Sequence, residues 1–388
     1  MRLAQLWLTD FRCYEQAELE IGPGMTVLSG GNASGKTSIL EAVGWLARMS
    51  SFRGAPDVAL VRTGAERAFV RAEVTAPTLD SPEPDDGPGM EELGPGDPRR
   101  LVEAEITAAG RNRVLVNRKP LARARDLLGT LRVTVFSPDD LRLVKGGPSE
   151  RRAELDDLLV ALSPRYDAAR SDYERVLRHR NAWLKSWSRN DDPATLDVWD
   201  DQLTRVGAEL VRGRLKLLER LEAPLAKAYA DLAGAGTADV GGTYEPVWAG
   251  GEVLDESRLD DVAPLLAAAV ARSRPADLER RISLVGPHRD DWSLTVEARD
   301  ARRYASQGEQ RSLALAIRLA GHSVVAEVGG EAPVLLLDDV FSELDDARSA
   351  GLVAHLPPGQ ALVTTAGHLP AGLPAERVVW INGGRVGT

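Results

Sequence analysis

The stretch LSGGNASGKTSIL, residues 28–40, decides the fold of this chain. It places Gly30, Gly35, Lys36 and Thr37 at the spacing GxxxxGK[ST] of a phosphate-binding loop. The preceding MTVL indicates a short buried strand, and apolar residues recur with helical spacing in KTSILEAVGWLA. A strand, a glycine loop and a helix in this order are the context that such a loop requires. The stretch therefore predicts an α/β chain that binds a nucleoside triphosphate.

Each part of this loop has an expected role in holding ATP. The backbone amides would cradle the phosphates at the amino terminus of the helix. Lys36 would reach the β and γ phosphates, and Thr37 would bind a magnesium ion. The predicted ATP-binding residues are Gly30, Gly31, Asn32, Ala33, Ser34, Gly35, Lys36 and Thr37.

An acidic strand must complete the site, and it comes far downstream in PVLLLDD, residues 333–339. The apolar run Val334–Leu337 predicts a strand buried on both faces. Asp338 is expected at the magnesium ion, and Asp339 suits a catalytic base that orients the attacking water. In a compact kinase or small GTPase this strand comes much sooner. Here the two halves of one site bracket the rest of the chain.

A second loop, in ASQGEQRSLALAIRLA, precedes the acidic strand. Its residues stand where the signature loop of an ABC-type ATPase reads Ser-Gly-Gly-Gln, namely Ser306, Gln307, Gly308 and Glu309. A serine hydroxyl and glycine amides at a helix start can bind phosphate, and in ABC-type ATPases this loop faces the γ-phosphate held by the other subunit. Taken alone, SQGEQ also fits a polar helix cap. After the acidic strand, SELDD resembles the D-loop, with Ser342, Glu343, Leu344 and Asp345.

The middle of the chain changes to helical periodicity. Apolar residues recur at three and four positions through 155–184 and again through 196–225. The two runs predict helices of roughly 40 residues, each about 60 Å long, packed as an antiparallel arm. We therefore expect an ABC-type P-loop ATPase head with a mixed sheet at 1–148 and 281–388, and an inserted helical arm lobe at 149–280.

Composition bounds the class of protein. The net charge is −10, but residues 77–98 hold seven acidic residues and no basic one, so the rest of the chain carries −3. Six prolines and four glycines in that segment predict a disordered loop. Cys13 is the single cysteine, which excludes an intrachain disulfide, and we expect it in the core. With no long apolar run and no signal-peptide pattern, we expect a cytoplasmic protein without a membrane partner.

A basic stretch, RNRVLVNRKPLARAR at residues 111–125, is the candidate DNA-binding surface. Such a cluster can follow phosphates without reading sequence, although a solvated strand and loop surface is an equal alternative. The chain has 42 Arg and 6 Lys; arginine suits bidentate phosphate contacts, but GC-rich coding produces the same bias. The candidate DNA contacts are Arg111, Arg113, Arg118, Lys119, Arg123 and Arg125.

Several stretches together resemble the RecF family of bacterial recombinational-repair ATPases. In family order they are LTDFRCY, GGNASGKTSILEAV, FSPDDLRLVKGGPSERRAELD, LVGPHRDDW, ASQGEQR and LLLDDVFSELD, spanning residues 8–345. The third and fourth, at 136–156 and 284–292, have no counterpart in transporter ATPases. One departure is Cys13, which replaces the asparagine expected in FRNY.

The resemblance implies a function as well as a fold. Members of the family bind gapped, single-stranded and double-stranded DNA, hydrolyse ATP slowly with Mg²⁺, and form dimers when ATP is bound. They act with RecO and RecR to help RecA load. Two alternatives remain: an SMC-like chromosome-associated ATPase, which would need hundreds of coiled-coil residues, and a transporter ATPase subunit, which would need a surface for a membrane partner.

Overall fold

A computed structural model provides the structure of the chain. The residues that it describes are 1–75, 99–188, 194–233, 239–367 and 369–387. The acidic segment 77–98, predicted as a disordered loop, lies outside these residues. The described chain forms two compact units, one of Met1–Pro138 with Gly329–Thr388 and the other of Asp139–Val328.

The elements follow one another through both units. The first unit opens with β1 (Arg2–Phe11), β2 (Tyr14–Glu20), β3 (Met25–Ser29), α1 (Lys36–Arg48), β4 (Arg67–Thr75), β5 (Arg99–Thr107), β6 (Arg113–Val116), β7 (Lys119–Pro120) and β8 (Val133–Phe136). The second unit contains α2 (Leu141–Lys145), α3 (Pro148–Leu162), α4 (Arg165–Ser186), α5 (Thr195–Ala233), β9 (Val240–Glu245), α6 (Val262–Arg280), β10 (Asp291–Val296), β11 (Arg299–Asp300), α7 (Ala301–Tyr304) and α8 (Gln307–Gly329). The first unit then closes with β12 (Val334–Leu337), α9 (Asp346–His355), β13 (Ala361–Thr365), β14 (Ala375–Asn382) and β15 (Arg385–Gly387).

A mixed sheet carries the predicted acidic strand. Its order is β15-β14-β3-β13-β12-β8, and all neighbours are parallel except β14 and β15. β12 and β13 are buried along their whole length, as expected of parallel strands covered on both faces. Because the strands are parallel, the carboxyl ends of β3 and β12 meet at one edge of the sheet. The predicted mixed sheet is therefore confirmed.

Helix α1 packs between this sheet and an antiparallel one. The second sheet has the order β2-β1-β4-β5-β6-β7, and β4 alternates buried and more exposed residues, as expected when one face of a sheet is covered. Ile39, Leu40, Val43 and Leu46 of α1 are almost completely buried. One apolar cluster runs from β1 and β4 through α1 to β12. The core of the first unit thus fixes the helix that follows the glycine loop.

The arm of the second unit is antiparallel, as predicted, but its first half is not one helix. α3 and α4 are separate because Ser163, which precedes Pro164, is extended. α5, with 39 residues, matches the predicted length. Along α4 and α5, Arg180 pairs with Asp200, and the Tyr173 ring lies against Gly207. As residue numbers fall along α4 they rise along α5, which is the register of an antiparallel pair.

The second unit extends beyond the predicted arm lobe at both ends. It begins at Asp139 and continues to Val328, rather than spanning 149–280. The reason is a three-stranded sheet, β11-β10-β9, in which β10 is hydrogen-bonded along its length to β9. An ion pair between Arg151 of α3 and Asp291 of β10 joins the same unit.

Helix α8 is a core helix. By length and hydropathy it is the one helix of the described residues that could cross a membrane, but 67% of that stretch is buried inside the chain. Leu313, Ala316 and Ile317 have no exposed surface. Its apolar character is therefore explained by packing within the protein.

Arg180 supports the interior of the second unit. Its guanidinium is fully buried and donates to Asp200 at 2.8 Å, to Ser283 at 2.8 Å and to Asp277 at 2.7 Å. Removing one member of a buried charge pair leaves the other charge uncompensated in a low-dielectric interior.

We therefore expect Arg180→Met to lower the free energy of unfolding by about 3–5 kcal/mol, measured by urea denaturation followed by tryptophan fluorescence. Arg178→Met is the matched control, because Arg178 is exposed on the same helix. The control should change stability by less than about 0.5 kcal/mol. If both substitutions lowered the free energy of unfolding equally, the buried ion pairs of Arg180 would not stabilise the fold as proposed.

Candidate nucleotide-binding site

The glycine loop joins β3 to α1 in a conformation that requires glycine at one position. Gly35, which precedes α1, has φ 114°, in the left-handed region. A Cβ atom there would lie 2.7 Å from Tyr14 Oη and 2.8 Å from Cys13 Sγ. Among the described residues, no side chain caps α1. Its first amides are therefore available to an anion, as at other helix amino termini.

Lys36 lies on the inner side of this loop. Its Nζ donates to the backbone carbonyls of Gly30 and Gly31, both at 2.8 Å. Burial of the ammonium lowers the pKa of Lys36, while the nearby carboxylates Asp339 and Asp338 oppose that shift. The predicted members Gly31, Asn32 and Ala33 are exposed, whereas Ser34 is buried.

Asp338 joins the two predicted halves of the site. Thr37 Oγ1 donates to Asp338 Oδ1 at 2.7 Å, although the two residues are 301 positions apart. Thr364, in β13, donates to the same oxygen at 2.9 Å. Burial raises the pKa of Asp338, and these two hydrogen bonds oppose the shift. The sequence does not identify Thr364 as a site residue. Its position beside Asp338 depends on the register of β13, which the stretch LVTTAG does not reveal.

Asp339 has an unusual backbone conformation. Its φ of 50° and ψ of 28° lie in the left-handed region, which costs a non-glycine residue about 1–3 kcal/mol. Two hydrogen bonds hold it there: its amide donates to Thr364 Oγ1 at 2.9 Å, and its carbonyl accepts from Ser342 Oγ at 2.7 Å. This backbone conformation turns the chain away from β12 at Asp339, the residue predicted as the catalytic base.

A cleft of ≈ 700 Å³ opens beside the glycine loop, and it includes arginines that the sequence analysis did not assign. Arg12 and Arg53 both line it. Arg12 donates through Nε and Nη2 to the two carboxylate oxygens of Glu41, at 2.7 and 2.6 Å. Because Glu41 on α1 is fully buried, this bidentate pair fixes Arg12 at the cleft. Arg12 belongs to the motif LTDFRCY, but the motif alone does not show that its side chain lies at the cleft. Its pairing with Glu41 does.

Cys13 is exposed and lines the same cleft, so the expectation of a core cysteine is wrong. The cause is the tight turn between β1 and β2. Arg12 has φ 54° in that turn, and Tyr14, rather than Cys13, is the residue buried beneath it.

The predicted signature residues form the start of α8. Glu309 N donates to Ser306 Oγ at 3.3 Å, and Ser306 N donates to Glu309 Oε2 at 2.7 Å. This reciprocal arrangement is a capping box, the alternative that the sequence left open. Ser306 and Gln307 are exposed, and Gly308 is half-buried. A role for these four residues in binding phosphate stays a prediction.

The predicted D-loop residues lie just after β12. Ser342 belongs to a short 3₁₀ turn, Val340–Glu343, and donates to the Asp339 carbonyl. Asp345 caps α9 by accepting from Arg348 N at 2.8 Å, and this hydrogen bond lowers the pKa of Asp345. Both side chains are exposed. Their assignment to a D-loop stays a prediction.

The predicted DNA contacts are on the surface of the first unit. They occupy β6, β7 and the segments beside them, and all are exposed: Arg111, Arg113, Arg118, Lys119, Arg123 and Arg125. The arginines of β4, in contrast, are paired with glutamates of β5, Arg67 with Glu105 and Arg71 with Glu103. Exposure suits both a DNA surface and a solvated one, so contact with DNA stays a prediction.

The family stretch LVGPHRDDW builds the interior of the second unit. Asp290 accepts from Tyr244 Oη at 2.7 Å and from Trp248 Nε1 at 3.1 Å. Burial raises the pKa of Asp290 to about 6. The His288 ring is hydrogen-bonded to Tyr173 Oη at 2.6 Å, and burial lowers the pKa of His288 to about 4. This stretch therefore supports the fold of the unit.

The oxygen atoms of Thr37 and Asp338 fit a magnesium ion. Within the described residues there is no group of three or more His, Cys, Asp or Glu that could hold a metal by itself. Magnesium typically binds through one or two carboxylates together with substrate phosphates. One hydroxyl and one carboxylate beside a phosphate-binding loop are therefore compatible with a magnesium site, which stays a prediction.

Comparisons with known proteins agree with this geometry. The model of the family "RecF/RecN/SMC N terminal domain" matches residues 2–366. The DNA replication and repair protein RecF of Paenarthrobacter aurescens (strain TC1) is 42% identical over 99% of both chains. The RecF protein of Frankia alni is 43% identical, with 97% of this chain and 96% of the relative covered.

Solved structures give the same result. The structure of "the recombination mediator protein RecF-ATPrS in RecFOR pathway" matches with a TM-score of 0.86 at 28% identity, over 99% of this chain and 97% of that chain. An Smc head domain from Pyrococcus furiosus matches with a TM-score of 0.55 at 14% identity, which shows a shared fold. The family match and the full-length relatives together show that this chain belongs to the RecF family of ABC-like ATPases.

Proposed function

We propose that this chain is an ATP-dependent DNA-binding protein of bacterial recombinational repair. ATP would draw two copies together, DNA would favour the closed dimer, and slow hydrolysis would reset it. The observation that carries the proposal is the meeting of Lys36, Thr37 and Asp338 beside one cleft of an ABC-type head. The similarity to a solved RecF-ATP structure, with a TM-score of 0.85 over the whole chain, supports it.

ATP would bind in the cleft beside the glycine loop. The Lys36 ammonium, now bonded to two loop carbonyls, would take β- and γ-phosphate oxygens as partners, and the amides that begin α1 would bind the same phosphates. Arg12 and Arg53 line the remaining cleft, where planar guanidinium groups suit phosphate oxygens or the face of a base. Thr37 and Asp338 would hold Mg²⁺, which neutralises charge on the phosphates.

Hydrolysis would depend on Asp339 and on a second chain. Asp339 would orient the attacking water from the edge of the sheet where β12 ends. Ser306, Gln307, Gly308 and Glu309 of the other copy would complete the site at the γ-phosphate, and Ser342 and Asp345 would lie at the same interface. Since each ATP would need both chains, hydrolysis would be slow and would report dimer formation.

DNA and protein partners follow from membership of the family. We propose that the protein is cytoplasmic and binds gapped, single-stranded and double-stranded DNA. Its proposed partners are RecO and RecR, with which it would help RecA load. DNA would stimulate its weak ATPase activity. The basic residues at 111–125 are the proposed contacts. An SMC-like tether is disfavoured because α5, at 39 residues, is far shorter than a long coiled coil.

Lys36→Arg should abolish ATP-dependent dimerisation. The buried ammonium fits between two carbonyls at 2.8 Å, and a larger guanidinium would not. ATP affinity should fall about tenfold to hundredfold, because a hydrogen bond to a charged group contributes about 1.5–3 kcal/mol. A fluorescent ATP analogue and sedimentation velocity measure the two effects. Lys227→Arg, at an exposed helix position, is the control, and unchanged dimerisation in Lys36→Arg would refute the site.

Asp339→Asn should separate binding from turnover. Asparagine tolerates the left-handed backbone but cannot accept a proton, so ATP should still bind while hydrolysis falls about a hundredfold or more. Steady-state phosphate release and equilibrium ATP binding give the two quantities. Asp346→Asn, on the exposed start of α9, should hydrolyse ATP normally. Normal ATP hydrolysis by Asp339→Asn would show that Asp339 is not the catalytic base.

Replacing Arg111, Arg113 and Arg118 by Gln should weaken DNA binding and reduce its salt dependence. Each lost phosphate contact lowers the slope of log affinity against log salt by about one. Fluorescence anisotropy on a gapped duplex with ATP, over a salt series, measures the slope. The control replaces three exposed arginines of the second unit, Arg178, Arg205 and Arg220. Equal slopes for the two triple variants would show that Arg111, Arg113 and Arg118 do not contact DNA phosphates.

A further inference from the structure

A groove in the second unit lies between α5, β9 and the loop at residues 253–256. Its volume is ≈ 190 Å³. Buried apolar side chains form its floor, including Leu221, Leu225, Leu254 and Trp292. An apolar cavity of about 150 Å³ is large enough for a benzene ring. The groove can therefore take one branched aliphatic or aromatic side chain.

The rim of the groove is acidic. Glu219 and Glu222 lie three positions apart on α5, and Asp255 and Glu256 lie on the facing loop. Neither lysine nor arginine is among the described residues that line it. Asp255 is engaged by the amide and hydroxyl of Ser257. The other three carboxylates are exposed and make no ion pair within the described chain. The rim thus offers three uncompensated negative charges around an apolar floor.

Trp292 leaves an unused hydrogen-bond donor at this groove. Its side chain is 2% exposed, and its Nε1 has no hydrogen-bond partner among the described residues. The nitrogen lies directly over Gly242 of β9, where a Cβ would come within 2.1 Å of it. A buried N–H without a partner costs free energy because it has lost its hydrogen bond to water. A ligand that supplies a carbonyl oxygen would recover part of that cost.

Strand β9 adds a row of backbone groups along the same groove. It is the last strand of its sheet, and within the described residues β10 is its one partner strand. Gly241, Gly242 and Thr243 line the groove, and the latter two are exposed. An extended peptide can pair with such an edge through main-chain hydrogen bonds and place alternate side chains into pockets.

We propose that this groove binds an extended, basic segment of a partner protein, with one apolar side chain inserted beside Trp292. Lysine or arginine residues on either side of that side chain would face Glu219, Glu222 and Glu256. Complementary charge of this kind guides association and selects among partners. The same carboxylates repel the phosphates of nucleic acids, so the groove does not suit DNA or a nucleotide.

The test uses the full-length chain and an array of synthetic heptapeptides. One set has Leu, Ile, Val or Phe at the centre, flanked by Lys and Arg. A second set has the same centres flanked by Asp and Glu, and a third has a central Ser flanked by Lys and Arg. We expect the best peptides of the first set to bind about tenfold more tightly than the other two sets, because both the apolar pocket and the charged rim contribute.

Substitutions then assign the binding to this groove. The triple variant E219Q/E222Q/E256Q should lose the preference for basic peptides. The matched variant E66Q/E174Q/E279Q changes the net charge equally at exposed positions away from the groove and should retain it. Equal binding by wild type and the groove variant, or no preference for apolar over Ser centres, would overturn the proposal.

A spectroscopic signal follows the donor itself. The indole N–H resonance of Trp292, assigned by its loss in Trp292→Phe, should shift when the best basic peptide is added. A bound peptide that leaves this resonance unchanged would show that binding occurs at another surface, such as one formed with a second copy of the chain.

Discussion

The hydrogen bond from Thr37 to Asp338 is the contact on which the candidate site depends. It exists because β3 and β12 both run parallel to β13, with Ser29 opposite Thr365 and Leu337 opposite Val363. The strands therefore end at the same edge, where Thr364 Oγ1 donates to the Asp338 carboxylate and accepts from the Asp339 amide. Helix α1, held by the apolar core between two sheets, brings Lys36 and Thr37 to that edge. A shift of one residue in β12 would separate these groups.

Many arginines of this chain have a structural role, which is distinct from the proposed phosphate contacts. In the second unit, Arg214 makes two hydrogen bonds to Asp156, and Arg151 makes two to Asp291, all at 2.8 Å. Arg318, which is half-buried, pairs with Asp140 and Glu154. The planar guanidinium fits a carboxylate with two parallel bonds, which a lysine cannot make. Part of the large excess of arginine over lysine is therefore structural, and only exposed arginines remain candidates for DNA.

The failures of sequence reasoning have specific causes. Cys13 was expected in the core, but Arg12 has a left-handed backbone conformation. The resulting turn buries Tyr14 instead of Cys13. A single helix was expected through the run at 155–184 because apolar periodicity continues across Ser163 and Pro164, although the helical backbone is interrupted there. The predicted boundary at 280/281 differs from the observed end of the second unit at Val328, because β9 and β10 are too short and too far apart in the chain for their pairing to be visible in the sequence.

The sequence by itself determined the strand, glycine loop and helix at 25–48, the acidic strand, the antiparallel arm and the family. These features depend on local spacing and on periodicity, which the residues carry directly. Only the tertiary structure decided that Thr364 supports Asp338, that Glu41 holds Arg12 at the cleft, and that Trp292 lines an acidic groove. Each of these contacts joins residues from different elements. Their pairing depends on strand register and on packing between elements, and no short stretch of sequence contains that information.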